Sequence, residues 1–126
     1  MEWMDTDAAG IYHWTTIGRF AESAEAALFR ALELPADTLE RTPRVSMRLD
    51  FRRPLRFGDE AWVELTVAAV GRASLRYSLR VADLQDRPVA DGEIVCCLLD
   101  SDRTGVQPWP DDMRGAFQTR GRVTSQ

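Results

Sequence analysis

The spacing of hydrophobic residues changes partway along this chain. From about residue 15 to residue 34 they recur every three or four positions, as on the buried face of a helix: Ile17, Ala21, Ala24, Leu28, Ala31 and Leu32. Thr15 or Thr16 is a suitable N-cap, and Pro35 ends the segment. The sequence therefore predicts a long helix whose alanine-rich face packs closely against another surface.

After a polar loop, hydrophobic and polar residues alternate, which is typical of half-buried strands. The alternating segments cover residues 45–51, 61–69, 75–81 and 89–99. Turn residues separate them at 57–59, 71–72 and 83–88. The pattern predicts four antiparallel strands, and residues 1–4 are interpreted as the end of a further, short strand.

A helix of about five turns with an alanine face is buried only if the sheet curls around it. We therefore expect an α+β hotdog fold, in which a curled antiparallel sheet wraps a long central helix. The length of 126 residues predicts one domain over residues 1–126. A short helix is expected after Pro108, followed by a flexible tail from about residue 118.

Charge excludes some function classes. All 16 basic residues are arginine and the net charge is −4, which argues against broad nucleic-acid binding.

The sequence has no membrane-length apolar run, secretory signal or paired metal-ligand spacing, so we expect no membrane partner and no metal. Cys96 and Cys97 are adjacent, which disfavours a structural disulfide; at least one thiol should lie in the core, and a cytoplasmic location is expected.

The segment of residues 5–14 is the strongest functional signal. Asp5, Asp7 and Gly10 precede aromatic residues that lead directly into the predicted helix. One interpretation is an Asx turn that caps the helix. The other is chemical: unpaired N–H groups at a helix start can stabilise an oxyanion, while a nearby carboxylate attacks a carbonyl or activates water. These are the components that ester or thioester cleavage requires.

This segment resembles the D-x-D-x-x-G signature of the 4-hydroxybenzoyl-CoA thioesterase-type hotdog family. The similarity continues through residues 19–25, 42–46, 54–59 and 71–74, in the family's order. The resemblance implies an acyl-CoA thioesterase that hydrolyses a thioester to free acid and thiol. The thioester is carried by coenzyme A or by an acyl-carrier protein, and no separate cofactor is implied because coenzyme A is part of the substrate.

Family roles transfer by position. Asp7 matches the catalytic carboxylate, acting as nucleophile or as general base, and the backbone N–H of Trp14 would polarise the thioester carbonyl. His13 lies one position before the histidine of some members, so a catalytic role and a capping role both stay open.

The resemblance also implies contacts with the acyl group. Tyr12 would line the acyl pocket, while Ser46 and Met47 match a strand that meets the acyl group from a neighbouring subunit. The implied assembly is a homodimer or a homotetramer.

A further set of implied contacts involves the coenzyme A phosphates. Arg72 and Ser74 match the turn that contacts these phosphates, although Arg72 is equally consistent with a solvated turn. Arg120 and Arg122 are weaker candidates for assistance, because they lie in the predicted tail.

Other interpretations stay open at this point. The chain fits a non-catalytic acyl-CoA-binding module, or an enoyl-thioester hydratase or dehydratase in which an aspartate and His13 act on one water. Another branch of hotdog proteins uses a glutamate on the central helix as its base, but Glu22 and Glu25 are interpreted as a charged surface or interface pair with Arg19, because Asp7 already fits that role.

Overall fold

The computed structural model describes residues 15–55 and 59–125 of the chain. It contains two helices and five strands in these ranges. In chain order they are α1 (Thr15–Ala31), β1 (Arg44–Phe51), β2 (Ala61–Val70), β3 (Ser74–Asp83), β4 (Pro88–Cys97), α2 (Asp111–Arg120) and β5 (Arg122–Ser125), with a single 3₁₀ turn at Leu39–Arg41. The long helix and the four strands match the elements that the sequence predicts.

Helix α1 ends three residues before the predicted end. Glu33 adopts a left-handed conformation with φ of 56°, and the N–H of Leu34 donates to the carbonyl of Phe29 at 3.1 Å. This arrangement closes the last turn in the manner of helix C-terminal motifs. Pro35 then follows the closed turn, so the chain leaves the helix direction before the proline is reached.

The five strands form one antiparallel sheet in the order β1-β4-β3-β2-β5. The fifth strand is a difference from the sequence-based expectation. Residues 122–125, which the sequence assigns to a tail, pair with residues 63–66 of β2, and Arg122 donates to the Glu64 carboxylate at 2.6 Å. The remaining predicted strand, at residues 1–4, lies outside the described residues.

Helix α1 packs on the concave side of the sheet through its small residues. Ile17, Ala21, Ala24 and Leu28 have no exposed surface. They join one core with inward residues of the sheet, including Leu65, Leu75, Leu79, Val81 and Ile94. Alanines on this face let the helix backbone approach the strands closely, as the sequence predicts.

Two features shape opposite sides of the sheet. A Cβ at Gly92 would overlap the carbonyl oxygen of Arg48, so β1 lies unusually close to β4 at this point. At the opposite side, Phe117 of α2 contacts Phe29 and Trp109, with ring centroids 5.8 and 5.0 Å away. Aromatic pairs in such tilted geometries stabilise a core beyond their buried area. No helix in the described ranges is long and apolar enough to cross a bilayer.

Candidate active site

Four of the predicted site residues precede α1. Asp7, Tyr12, His13 and Trp14 lie outside the described residues, so their placement stays a prediction. The structure describes the helix that follows them, which begins at Thr15 and has no acidic residue in its first turn. A helix start without its own acidic side chains keeps the positive end of the helix dipole available to a ligand.

Ser46 and Met47 lie on β1, an edge strand of the described sheet, and both are exposed. A bulge between Arg44 and Ser46 precedes them. Met47 is opposite Ile94, whose side chain is in the core, so Met47 is on the inner face of the sheet but is 40% exposed. Among the described residues, the inner face of β1 is therefore covered at Leu49, which packs against the core, but only partly covered at Met47.

Arg72 and Ser74 lie at the β2–β3 turn, and both are exposed. Every carbonyl from residue 70 to residue 74 accepts a hydrogen bond. The N–H of Leu98 bonds the Ala73 carbonyl at 2.8 Å, and the indole N–H of Trp109 bonds the Ser74 carbonyl at 3.0 Å. The turn is therefore attached to the segment that precedes α2.

Arg114 of α2 completes this attachment. Its guanidinium donates to the carbonyls of Gly71 at 2.9 Å, Arg72 at 3.1 Å and Val70 at 3.5 Å. Backbone carbonyl oxygens repel anions, so occupying them makes the turn a better neighbour for a phosphate. The outer surface of the turn presents the Arg72 guanidinium and the Ser74 hydroxyl.

Glu25 is placed differently from the sequence-based expectation. The sequence predicts a surface carboxylate paired with Arg19, but Glu25 is only 3% exposed and accepts a hydrogen bond from Arg44 at 3.2 Å. Glu22 is exposed, as expected. The signal that was missed is the spacing: Glu25 follows Ala21 by four residues and precedes Leu28 by three, within the buried stripe.

Two further polar side chains surround Glu25. The Cys96 thiol lies 3.9 Å from its carboxylate, and burial together with that charge raises the pKa of Cys96 to about 12. Burial and the same carboxylate raise the pKa of Tyr77 well above its ordinary value. The Tyr77 hydroxyl makes no hydrogen bond of good geometry with the described residues. A thiol with this pKa stays protonated near neutral pH, so Cys96 is not a nucleophile.

The Glu25–Arg44 ion pair borders a groove of about 310 Å³. Its lining consists of Glu22, Glu25, Leu39, Thr42, Pro43 and Arg44. The groove and the β2–β3 turn lie at the same end of the sheet, because Ser74 pairs with Cys97 while the adjacent Cys96 pairs with Arg44. In the described parts of the chain, no three His, Cys, Asp or Glu side chains are grouped as metal ligands would be.

Residues 1–117 match the family model of the thioesterase-like superfamily. The chain belongs to the thioesterase-like superfamily. No curated protein sequence matches it.

Solved structures agree with this superfamily in fold. A 1,4-dihydroxy-2-naphthoyl-CoA thioesterase from Synechocystis superposes with a TM-score of 0.85 at 17% identity, over 95% of this chain and 92% of the other. A gentisyl-coenzyme A thioesterase gives 0.83 at 23% identity, over 94% and 96%. A Thermus thermophilus thioesterase, complexed with coenzyme A and Zn, gives 0.81 at 23% identity, over 94% and 87%. The α+β hotdog fold that the sequence predicts is therefore confirmed.

In this thioesterase-like hotdog, the described candidate residues form two groups at one end of the sheet. One group is the β2–β3 turn, with Arg72 and Ser74. The other is the start of β1, with Ser46 and Met47 close in sequence to Arg44. Sequence reasoning named both groups but did not include the buried Glu25 and the groove beside it.

Proposed function

We propose that this protein is an acyl-CoA thioesterase that hydrolyses an acyl thioester to a free acid and a thiol. The observation that carries the proposal is the position of the D-x-D-x-x-G segment. It lies within the superfamily match and ends a few residues before α1 begins at Thr15. The same segment supports the finer assignment to the 4-hydroxybenzoyl-CoA thioesterase type.

The proposed chemistry uses the N-terminal end of α1. The thioester carbonyl oxygen would accept hydrogen bonds from backbone N–H groups near Trp14, which stabilise the negative charge that develops on it. Asp7 would attack the carbonyl carbon to give a mixed anhydride, or would take a proton from an attacking water. In either route the C–S bond breaks and the thiolate leaves. In the first route water then hydrolyses the mixed anhydride to the free acid, which restores the Asp7 carboxylate. His13 is a further candidate for proton transfer.

The remaining proposed contacts bind the two ends of the substrate. Tyr12, Ser46 and Met47 would contact the acyl group, and Arg72 with Ser74 would contact the phosphates of coenzyme A. The hydrogen bonds that occupy the turn carbonyls support this second assignment. An acyl-carrier protein is a second source of the same thioester. Cys96 and Cys97 are free thiols, which fits a reducing, cytoplasmic environment.

We also propose that the active protein is a dimer or a tetramer. Strand β1 is an edge of the described sheet, and Val45 and Met47 on it are 65% and 40% exposed. An edge with exposed apolar side chains favours pairing with another strand. In such an assembly, Ser46 and Met47 of one protomer would approach the helix start of its partner.

The decisive experiment is hydrolysis of a panel of acyl-CoA thioesters by the wild-type protein and by Asp7→Asn. We expect the variant to lose about two to four orders of magnitude in kcat, because the carboxylate is the proposed nucleophile or base. Thiol release is followed with a chromogenic reagent, and Asp5→Asn is the matched control. Wild-type activity in Asp7→Asn would remove Asp7 from the mechanism, and water addition to crotonyl-CoA without thiol release would indicate a hydratase.

A second experiment tests the proposed phosphate contact. Arg72→Ala should raise KM for a coenzyme A thioester several-fold, because one guanidinium–phosphate contact is lost. It should leave KM for the corresponding pantetheine thioester unchanged, since that substrate has no nucleotide phosphates. Arg76→Ala, an exposed arginine on the neighbouring strand, is the control. An equal rise in KM for both substrates would contradict the assignment.

A further inference from the structure

The backbone of β1 has one side bonded to β4 and one side directed away from it. The N–H of Arg52 donates to a carbonyl of β4 at 2.8 Å, and the Arg48 carbonyl oxygen also points to β4, since a Cβ at Gly92 would overlap it. Backbone groups alternate in direction along a strand, so those of positions 47 and 49 point away from β4. Within the described sheet, no strand lies on that side of β1.

The outer face of β1 carries one arginine and one aspartate. Leu49 packs against the core, so its neighbours Arg48 and Asp50 project from the opposite face. These two side chains are 70% and 46% exposed, approach each other only to 3.9 Å, and make no hydrogen bond with the described residues. Across the sheet, Asp50 lies opposite Asp91, whose carboxylate is bound by Arg52 at 3.1 Å. The Asp50 carboxylate is therefore placed to pair with a guanidinium from the other side of β1.

A second copy of this chain can supply that guanidinium through two-fold symmetry. In a symmetric antiparallel strand pair every contact occurs twice, once in each direction. Directly opposed side chains project from the same face of a sheet. If the two inner faces are continuous, each odd-numbered position is therefore opposite an odd one and each even-numbered position opposite an even one. The two-fold axis then lies at a single residue, which faces its own copy.

The regular part of β1 limits where that axis can lie. Residues 46–51 follow one register against β4, and a bulge precedes them. An axis at position 47 or before it would bring the bulge into the pairing, whereas an axis at position 51 would bring in residues 52–55, which follow the end of the strand. The axis is therefore expected within residues 48–50.

Charge distinguishes these three positions. An axis at Arg48 or at Asp50 would set that residue against its own copy, and like charges directly opposite each other destabilise a sheet. An axis at Leu49 instead sets Arg48 opposite the partner's Asp50, and Asp50 opposite the partner's Arg48. The backbone groups of these two residues point to β4, so they would occupy non-hydrogen-bonded positions of the new strand pair, where opposed side chains lie closest.

We propose that two copies of this chain pair through β1 with the two-fold axis at Leu49, so that two ion pairs between Arg48 and Asp50 join the copies. The inference rests on the dimer proposed above and fixes its register. Ser46 then lies opposite the partner's Arg52, which places the start of each β1 beside the end of the partner's strand. This is an arrangement in which Ser46 and Met47 lie beside the partner, as their proposed acyl contacts require.

Charge reversal tests this register through the dissociation constant of the dimer, measured by sedimentation. Arg48→Glu and Asp50→Arg each create two like-charge pairs between the copies, so each should raise the dissociation constant about tenfold or more. Combining both substitutions in one chain restores the two ion pairs in reversed order and should return the constant to within about threefold of the wild type. Arg76→Glu makes the same charge change at an exposed position of β3 and should leave the constant unchanged. Thermal unfolding shows whether each variant is folded.

A mixture of the two single variants provides a second readout. In a mixed dimer the new carboxylate at position 48 lies opposite the new guanidinium at position 50, and the unchanged Arg48 lies opposite the unchanged Asp50. Mixed dimers should therefore predominate over both homodimers in native mass spectrometry.

These measurements need no thioester hydrolysis, so they are independent of the proposed catalytic function. A dimer that neither single substitution weakens, a double variant as weak as the single ones, or a mixture without preferred mixed dimers would overturn the register and leave the dimer in place. A monomeric wild type would overturn the dimer and the register together.

Discussion

The β2–β3 turn and the Glu25 cluster, which consists of Glu25, Arg44, Tyr77 and Cys96, each place an arginine next to oxygen acceptors. The two regions differ in how many of their polar groups are hydrogen-bonded. At the turn, Arg114 and its neighbours satisfy every carbonyl from residue 70 to residue 74. In the Glu25 cluster, Arg44 makes one hydrogen bond and the Tyr77 hydroxyl makes none in good geometry with the described residues. A satisfied network fixes a shape, whereas an unsatisfied one retains capacity for a ligand. The first region is therefore suited to positioning a side chain, and the second to binding a group.

The largest expected effect comes from breaking the Glu25–Arg44 ion pair in the Glu25 cluster. Arg44→Met should lower the free energy of unfolding by about 2–3 kcal/mol, because it leaves the Glu25 carboxylate buried without its partner. Denaturant unfolding measures this change. The exposed Arg48, 3.9 Å from Asp50, provides a control, and Arg48→Met should change stability by less than about 0.5 kcal/mol.

The double variant Glu25→Gln with Arg44→Met sharpens this test. Because the buried charge is removed together with its partner, stability should return to within about 1 kcal/mol of the wild type. A double variant as unstable as Arg44→Met would show that packing of the Arg44 side chain, and not the unpaired charge, causes the loss.

A smaller effect on stability is expected at the β2–β3 turn. Arg114→Met removes the donor to the Gly71 carbonyl together with the longer hydrogen bonds to the Arg72 and Val70 carbonyls, so the free energy of unfolding should fall by about 1–2 kcal/mol. Arg122→Met, which removes one exposed ion pair with Glu64, is the matched control and should cost less than about 0.5 kcal/mol. Similar losses in both variants would mean that the turn does not depend on Arg114.

The smallest effect is expected at Tyr77. Tyr77→Phe removes a buried hydroxyl that has no hydrogen-bond partner in good geometry among the described residues, so the free energy of unfolding should stay constant or rise by up to about 1 kcal/mol. Thermal and denaturant unfolding both measure this change in stability. A loss of more than about 1 kcal/mol would reveal a partner for the hydroxyl and would make the two regions more alike than the geometry indicates.

Much of the fold was predictable from residue spacing. The period of α1 and the alternation in β1 to β4 are long enough to identify each element, although Pro35 placed the end of the helix three residues too late. Strand β5 was not predictable, because its four residues, Arg122 to Ser125, are too few to show an alternation of hydrophobic and polar positions. Its pairing with β2 depends on the path of α2, which only the folded chain provides.

The site was predictable only in part. Asp7 and the residues before α1 were identified from a motif and remain predictions, whereas Arg72 and Ser74 lie at the exposed turn that the sequence indicated. Glu25 was misassigned because charge usually marks a surface position, and its compensating partner, Arg44, is 19 residues away. A pairing between distant residues leaves no local pattern in the sequence.

The contact at Gly92 has a consequence for how this protein tolerates change. Because β4 has no side chain there, the backbone of β1 lies against it, and any larger residue would displace β1 outward. Strand β1 carries Arg44, Ser46 and Met47 together. A single methyl group at position 92 would thus shift several proposed ligand contacts at once, so variation at a residue far from any substrate would alter substrate preference.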